Sequence, residues 1–173
     1  MIKFFYKALL IFGLLVALSG CTSAPNTTNS NLPLRLSVNV ERSKNQDRWT
    51  VTYRTNQPVS NLVFDRQDNL FRAANWISKS ANIVIKKEEK SESITSLNGD
   101  HFDTASFEFA SYYERTPKDY EFFQPFSDGS LVMYTGHYNA CPSNMECDEP
   151  IEFTFQGRTT DNIVILGKVN AAK

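Results

Sequence analysis

Residues 34–54 read LRLSVNVERSKNQDRWTVTYR and decide the fold. Apolar side chains occupy every second position on both sides of the polar segment 43–47, for example at Leu36, Val38 and Val51. An alternation with a period of two places apolar side chains on one face of a strand and polar side chains on the other. The stretch therefore predicts two half-buried strands that are joined by a polar turn.

Short segments of similar character continue along the chain. We predict further strands at residues 61–65, 71–77, 81–87, 93–97, 105–112, 120–123, 130–134, 151–156 and 162–166. Turn-forming residues separate several of them, at 98–100, 127–129 and 160–162. The segment 65–76 also fits a short helical turn. We expect an all-β protein, an antiparallel β-sandwich of roughly ten short strands.

The N-terminal residues 1–21 read MIKFFYKALLIFGLLVALSGC. Two lysines precede an apolar segment of about 11 residues, which is too short to cross a bilayer as a helix. The segment ends in Leu-Ser-Gly-Cys and resembles the lipobox of bacterial lipoproteins. In that family the chain is cut before the cysteine, which then carries a diacylglycerol. An ordinary signal peptide with a nearby cysteine is the alternative.

The lipobox resemblance implies three parts of the chain. Residues 1–20 would be the signal peptide, residues 21–33 the lipidated N-terminus with a flexible tether, and residues 34–173 the β-sandwich domain. The tether is rich in small polar residues, which favours a flexible chain. Cys21 would anchor the protein to a membrane. Thr22 follows it where an aspartate would resemble an inner-membrane retention signal, so we expect the outer membrane, facing the periplasm.

Charge and composition exclude some classes of partner. The chain has 18 basic and 19 acidic residues, and no basic stripe is visible, so we expect no nucleic-acid partner. Aromatic residues make up 13% of the chain, which suits a β-rich core.

Two cysteines remain besides Cys21. Cys141 and Cys147 lie close together, and the compartment beyond a signal peptide is oxidising, so we predict that they form a disulfide. A metal site is the alternative, although zinc prefers four ligands and a second nearby pair is missing from the sequence.

The sequence offers little for catalysis. Its two histidines, His101 and His137, are not spaced as a zinc-binding pair on one helix. No Gly-x-Ser-x-Gly motif and no glycine-rich phosphate loop occur. We predict a protein that is not an enzyme and needs no cofactor or metal. A site built from both histidines, or a calcium site at residues 98–103, remains an alternative.

Aromatic residues crowd into one part of the chain. The candidate partner surface consists of Tyr112, Tyr113, Tyr120, Phe123 and Phe126. Exposed aromatic side chains often carry the binding energy of an interface. A peptide, a glycan or a partner subunit would suit such a platform. The alternative is that these residues belong to the core of the sandwich.

Several short segments resemble the N-terminal β-sandwich domain of the glycyl-aminopeptidase-like metallopeptidases. They read RWTVTY at 48–53, LVFD at 62–65, RAANW at 72–76 and FSDGSLVMYTG at 126–136. In that family a zinc domain follows the sandwich, whereas this chain stops at Lys173. The family's catalytic residues therefore have no counterpart here. The resemblance implies a stand-alone relative of the accessory domain, or a fragment of a longer peptidase.

From these observations we expect a membrane-anchored lipoprotein whose non-catalytic β-sandwich binds a protein or peptide partner in the cell envelope. The first alternative is the accessory, substrate-cleft domain of a metallo-aminopeptidase whose catalytic domain is missing or separate. The second alternative is a glycan-binding module that uses the aromatic residues.

Overall fold

Strands make up most of the chain that the structure describes. The computed structural model describes residues 33–66, 70–111, 123–125, 127–128, 130–144, 151–159 and 161–167, with the backbone alone for 123–125. Its strands are β1 (Leu36–Arg42), β2 (Arg48–Val59), β3 (Asn61–Phe64), β4 (Ile77–Ser78), β5 (Ile83–Lys87), β6 (Glu92–Ser96), β7 (Phe102–Ala110), β8 (Phe123–Pro125), β9 (Ser130–Tyr134), β10 (Ala140–Cys141), β11 (Glu152–Gln156) and β12 (Asn162–Leu166). A short helix, α1 (Arg72–Asn75), and a 3-10 turn (Thr135–His137) complete the described elements.

These strands form three sheets. A five-stranded sheet has the order β11-β1-β2-β7-β4, a four-stranded sheet the order β10-β3-β6-β5, and a three-stranded sheet the order β12-β9-β8. Neighbouring strands are antiparallel except in the pairs β1–β11 and β9–β12, which are parallel. The prediction of an all-β sandwich is confirmed, and the two parallel pairs are an addition to it.

The apolar side chains of the predicted alternation pack into the core on one face of the five-stranded sheet. Val40 in β1 pairs with Val51 in β2, which pairs with Phe107 in β7, and all three side chains are fully buried. A second row brings Val38, Tyr53 and Ala105 together in the same way. Side chains of such cross-strand neighbours lie on the same face of the sheet and pack on one another.

Aromatic contacts join the five-stranded and four-stranded sheets. Tyr53 in β2 meets Phe64 in β3 edge to face, with ring centroids 6.1 Å apart. Phe64 meets Trp76 at 5.9 Å, and Trp76 stacks on Phe109 of β7 at 5.0 Å. These contacts span the gap between two facing sheets, which is the defining feature of a sandwich.

The predicted strand at residues 71–77 is wrong, and the alternative of a short helical turn within residues 65–76 is confirmed. Residues 71–77 contain α1 and the beginning of β4 instead of a continuous strand. The helical turn carries the side chain of Arg72 into the core, where it is fully buried. Strand β10, which pairs with β3, was not predicted because a strand of two residues leaves no periodic signal.

Candidate functional site

Most of the site residues predicted from sequence lie outside the residues that the structure describes. These are Cys21, Tyr112, Tyr113, Tyr120, Phe126 and Cys147. Phe123 begins β8, but its side chain is not described. The lipid anchor and the aromatic partner surface therefore stay predictions.

Cys141 is the described member of the predicted disulfide. It lies in β10 opposite Val63 of β3, and its side chain is half-buried. Because Cys147 lies outside the described residues, the pairing of these two cysteines stays a prediction.

The two histidines occupy different environments. His101 is exposed just before β7, whereas His137 is buried at the end of the 3-10 turn. Among the residues that the structure describes, no three His, Cys, Asp or Glu side chains lie close enough to hold a metal ion.

A buried ion pair occupies the core beside α1. Arg72 Nη1 lies 3.0 Å from Glu92 Oε2, and both side chains are 0% exposed. The Nε and Nη2 groups of Arg72 donate to the carbonyl of His137 at 3.1 and 2.7 Å, and Nη1 also donates to the carbonyl of Arg66. Glu92 Oε1 accepts the backbone N–H of Ala73 at 2.7 Å. The pair ties α1, β6 and the 3-10 turn together.

Aromatic rings surround this ion pair. The guanidinium carbon of Arg72 lies 4.1 Å from the ring centroid of Phe64 and 5.8 Å from that of Trp76. The face of an aromatic ring attracts a cation, and more strongly where water is excluded. Burial raises the pKa of the nearby Tyr53 hydroxyl well above its usual value, although the charge of Arg72 opposes this shift.

The sequence analysis missed the ion pair, although a signal for it was present. Glu92, Ile94 and Ser96 occupy alternate positions of β6, so their side chains lie on the same face of the strand, and all three are buried. A carboxylate at a core-facing position of a strand requires a buried cation or several donors. We assign a structural role to Arg72 and Glu92, because neither side chain reaches the surface.

An apolar strand edge is the most distinctive surface feature. Strand β12 ends the three-stranded sheet, and Val164, Ile165 and Leu166 are 42%, 36% and 51% exposed. Val164 pairs with Val132 and Leu166 with Tyr134 on the outer face of this sheet. The sequence predicted this strand but not its place at an edge, which depends on distant strands.

The core side of β12 is apolar as well. Ile163 pairs with Leu131, and Ile165 pairs with Met133. Leu131 and Met133 are core residues, so Ile163 and Ile165 point toward the core. Ile165 nevertheless keeps a third of its surface exposed, because no described strand lies beyond β12. Both faces of this edge are therefore apolar.

The other end strands of the described sheets carry features that discourage pairing with another chain. Strand β5 ends in two exposed lysines, Lys86 and Lys87. Strands β4 and β10 have two residues each, and β8 contains Pro125. Strand β11 begins with the exposed Glu152. Charges, prolines and short lengths are the usual protections of a sheet edge, whereas the five residues of β12 include no charge and no proline.

A group of polar contacts among Asp161, Arg42 and Arg158, here called the polar latch, holds the beginning of β12 in place. Asp161 Oδ1 lies 2.8 Å from Arg42 Nη1, and Asp161 Oδ2 accepts the backbone N–H of Arg158 at 2.6 Å. Arg158 in turn donates to the carbonyls of Ser43 and Gln46 in the β1–β2 turn. Burial by itself would lower the pKa of Arg42, but its bonds to the carboxylates raise it.

A glycine fixes the other end of β12. Gly167 has a φ of 109°, which is unfavourable for a residue with a side chain. A Cβ atom at this position would also collide with the side chain of Thr135. The strand is thus held at both ends and presents a short, ordered edge.

A cavity of about 750 Å³ lies beside the latch. Its lining residues are Glu41, Arg42, Lys44, Gln156, Gly157, Arg158 and Thr159. Arg42 and Arg158 are already paired with Asp47 or Asp161. Because acidic partners balance the basic residues, the cavity has no marked preference for an anion.

Comparison with known proteins adds no assignment to this site. No family model, no curated protein and no solved structure matches the chain. Within the described ranges, no helix has the length and apolar content needed to cross a membrane.

Proposed function

We propose that the protein is a lipoprotein of the bacterial cell envelope, anchored through Cys21, whose sandwich performs no chemistry and binds a protein or peptide partner. The observation that carries the binding proposal is the uncharged edge of β12, where Val164, Ile165 and Leu166 are exposed side by side. The lipobox resemblance of residues 1–21 supports the anchor.

The edge of β12 is suited to binding because a terminal strand exposes backbone N–H and C=O groups that another chain can pair with. Such an edge favours aggregation, so its persistence without a charge is best explained by a partner that covers it. An acylated cysteine would hold the domain at one membrane surface, and this raises its effective concentration toward partners there.

Site-specific photocrosslinking in cells tests the binding proposal. A photoreactive amino acid in place of Val164 should give a discrete adduct with another protein. The matched control replaces Leu97, which is 67% exposed but lies in a turn, and should give no such adduct. The adduct should disappear when Leu166→Lys is added. Absence of any adduct at Val164 would contradict the proposal.

The anchor is tested separately. Cys21→Ser should release the protein from membranes or leave it unprocessed, and mass spectrometry of the wild-type N-terminus should find an acylated Cys21. Normal processing with unchanged membrane fractionation of the variant would contradict the anchor. Mass spectrometry without reduction should also find Cys141 linked to Cys147, and two free thiols would refute that pairing.

The non-catalytic character is tested with the purified full chain. We expect no peptidase turnover with or without added zinc. Chelator-sensitive turnover would overturn this part of the proposal and favour a metallopeptidase.

A further inference from the structure

We infer that the partner contributes an extended, uncharged peptide segment that adds as a new strand beside β12. This inference rests on the proposed function and specifies the chemistry of the partner. It predicts main-chain hydrogen bonds as the source of affinity and apolar side chains as the source of specificity.

The first argument is that β12 is already fixed at both of its ends before a peptide binds. The Asp161–Arg42 ion pair holds one end of β12, and Gly167 packs against Thr135 at the other end. An edge that is already ordered loses little conformational freedom when it binds a peptide. The backbone between these points spans about 17 Å, the length of a five-residue strand.

The second argument concerns both faces of the added strand. Successive side chains of a strand point to opposite faces. Those on one face would lie beside Ile163 and Ile165, and those on the other beside Val164 and Leu166. On the core side, beside Ile163 and Ile165, a charged residue would lose water and meet only apolar side chains of β12, so the segment should carry apolar or β-branched residues at the alternate positions that face this side.

The third argument excludes a second copy of this chain as the main occupant. Three half-exposed aliphatic side chains offer on the order of 150 Å² of apolar surface. A stable protein–protein interface buries about 800 Å² on each partner. The apolar edge is therefore large enough for a short peptide, whose remaining affinity comes from its backbone, and too small to support a dimer alone.

The test uses the full chain in detergent and a dye-labelled probe peptide. The probe has a core of alternating valine and isoleucine, flanked by lysines for solubility. Fluorescence anisotropy should detect binding, and N-methylation of all core amides should raise the Kd about tenfold or more, since the hydrogen bonds to β12 are lost. Equal binding of the methylated probe would overturn strand addition.

Variants of the chain locate the binding edge. Val164→Lys should raise the Kd about tenfold or more, because it places an uncompensated charge beside the added strand. Leu97→Lys makes the same kind of change at an exposed site away from β12 and should leave the Kd within about twofold. Equal effects of the two variants would refute the assignment to β12.

Amide hydrogen exchange on the wild-type chain is independent of these variants. The amides of β12 that point away from β9 should exchange at least tenfold more slowly when the probe is bound. Unchanged exchange would overturn the inference. Concentration-dependent dimerisation of the free chain that is abolished by Val164→Lys would identify a second copy as the occupant instead.

These outcomes separate the inference from the proposed function. If the photocrosslinked adduct at Val164 forms in cells but the probe does not bind, strand addition is wrong and the partner-binding proposal stands. If the adduct does not form, the proposed function itself fails.

Discussion

Removing the charge of Glu92 should destabilise the fold strongly. Glu92→Gln keeps the shape of the side chain and an oxygen for the N–H of Ala73, but it removes the negative charge that lies 3.0 Å from the buried guanidinium of Arg72. Breaking a fully buried ion pair by removing one partner costs about 3–5 kcal/mol. We expect a loss of about 3 kcal/mol, the lower limit, because Arg72 keeps its bonds to the His137 carbonyl and its contact with the Phe64 ring.

Such a loss is large relative to the stability of a typical domain, which is about 5–15 kcal/mol. Urea unfolding of the full chain, followed by tryptophan fluorescence and circular dichroism, measures it. With a slope of about 1–3 kcal/mol per molar urea, the midpoint should fall by about 1–3 M. Coincident transitions from the two probes would support a two-state analysis.

A double-mutant cycle isolates the ion pair from other effects. The double variant Arg72→Met, Glu92→Leu replaces both charges by apolar side chains. Its loss of stability should be smaller than the sum of the losses in the two single variants, by a coupling energy of about 1 kcal/mol or more. If Glu92→Gln costs less than about 1 kcal/mol, or if the single changes are additive, the reasoning about a buried pair is refuted.

Three further predictions concern single residues. Above about pH 10 the wild-type protein should lose about 1.4 kcal/mol of stability per pH unit, because the tyrosine ionises in the unfolded chain while buried Tyr53 stays neutral. Tyr53→Phe should abolish this loss. Urea unfolding at about pH 9 and about pH 11 measures the effect. Gly167→Ala should lower the free energy of unfolding by about 1–3 kcal/mol in thermal or urea unfolding. A φ of 109° is strained for alanine, and the added Cβ would collide with the side chain of Thr135. Ser130→Ala should raise the pKa of Asp128 toward 3.8 in an NMR titration, because the hydroxyl of Ser130 donates to that carboxylate and lowers its pKa.

Each of these predictions has a clear counter-result. The pH slope of Tyr53→Phe should match the wild type below about pH 10, and an unchanged slope above it would contradict the assignment. Gly99→Ala is the control for Gly167, because its φ is also positive but nothing lies within 4 Å of the added Cβ; equal losses would rule out the Thr135 contact. The turn that contains Asp128 should weaken as the pH falls through its lowered pKa, and an unshifted titration in Ser130→Ala would exclude the bond.

The strands could be predicted from the sequence because their signal is local. Period-two alternation located β1 within two residues, and short apolar segments bounded by turn residues located β9 and β12. Local patterns left a strand and a helical turn open at α1, and the turn that forms places Arg72 beside Glu92, which lies 20 residues further along the chain. The fold class follows from local patterns, whereas this exception is set by tertiary contacts.

The candidate site was harder to predict than the strands. Residues 162–166 were recognised as a strand, but an apolar run of this kind also fits a fully buried central strand. Only the sheet order, which depends on the pairing with β9, places it at an edge. The predicted aromatic surface was chosen from composition, which does not indicate which side chains face water.

The parallel pairing of β1 with β11 has a consequence for folding. Ser37 pairs with Glu152, so β1, the first strand of the chain, cannot complete its pairing until β11 is present, and β11 is the last strand but one. Pairings between distant segments raise the contact order, and the entropy of closing so long a loop slows folding. A chain that crosses a membrane before it folds would emerge with the edge of β1 exposed until β11 arrives, so it should depend on a holding chaperone during export.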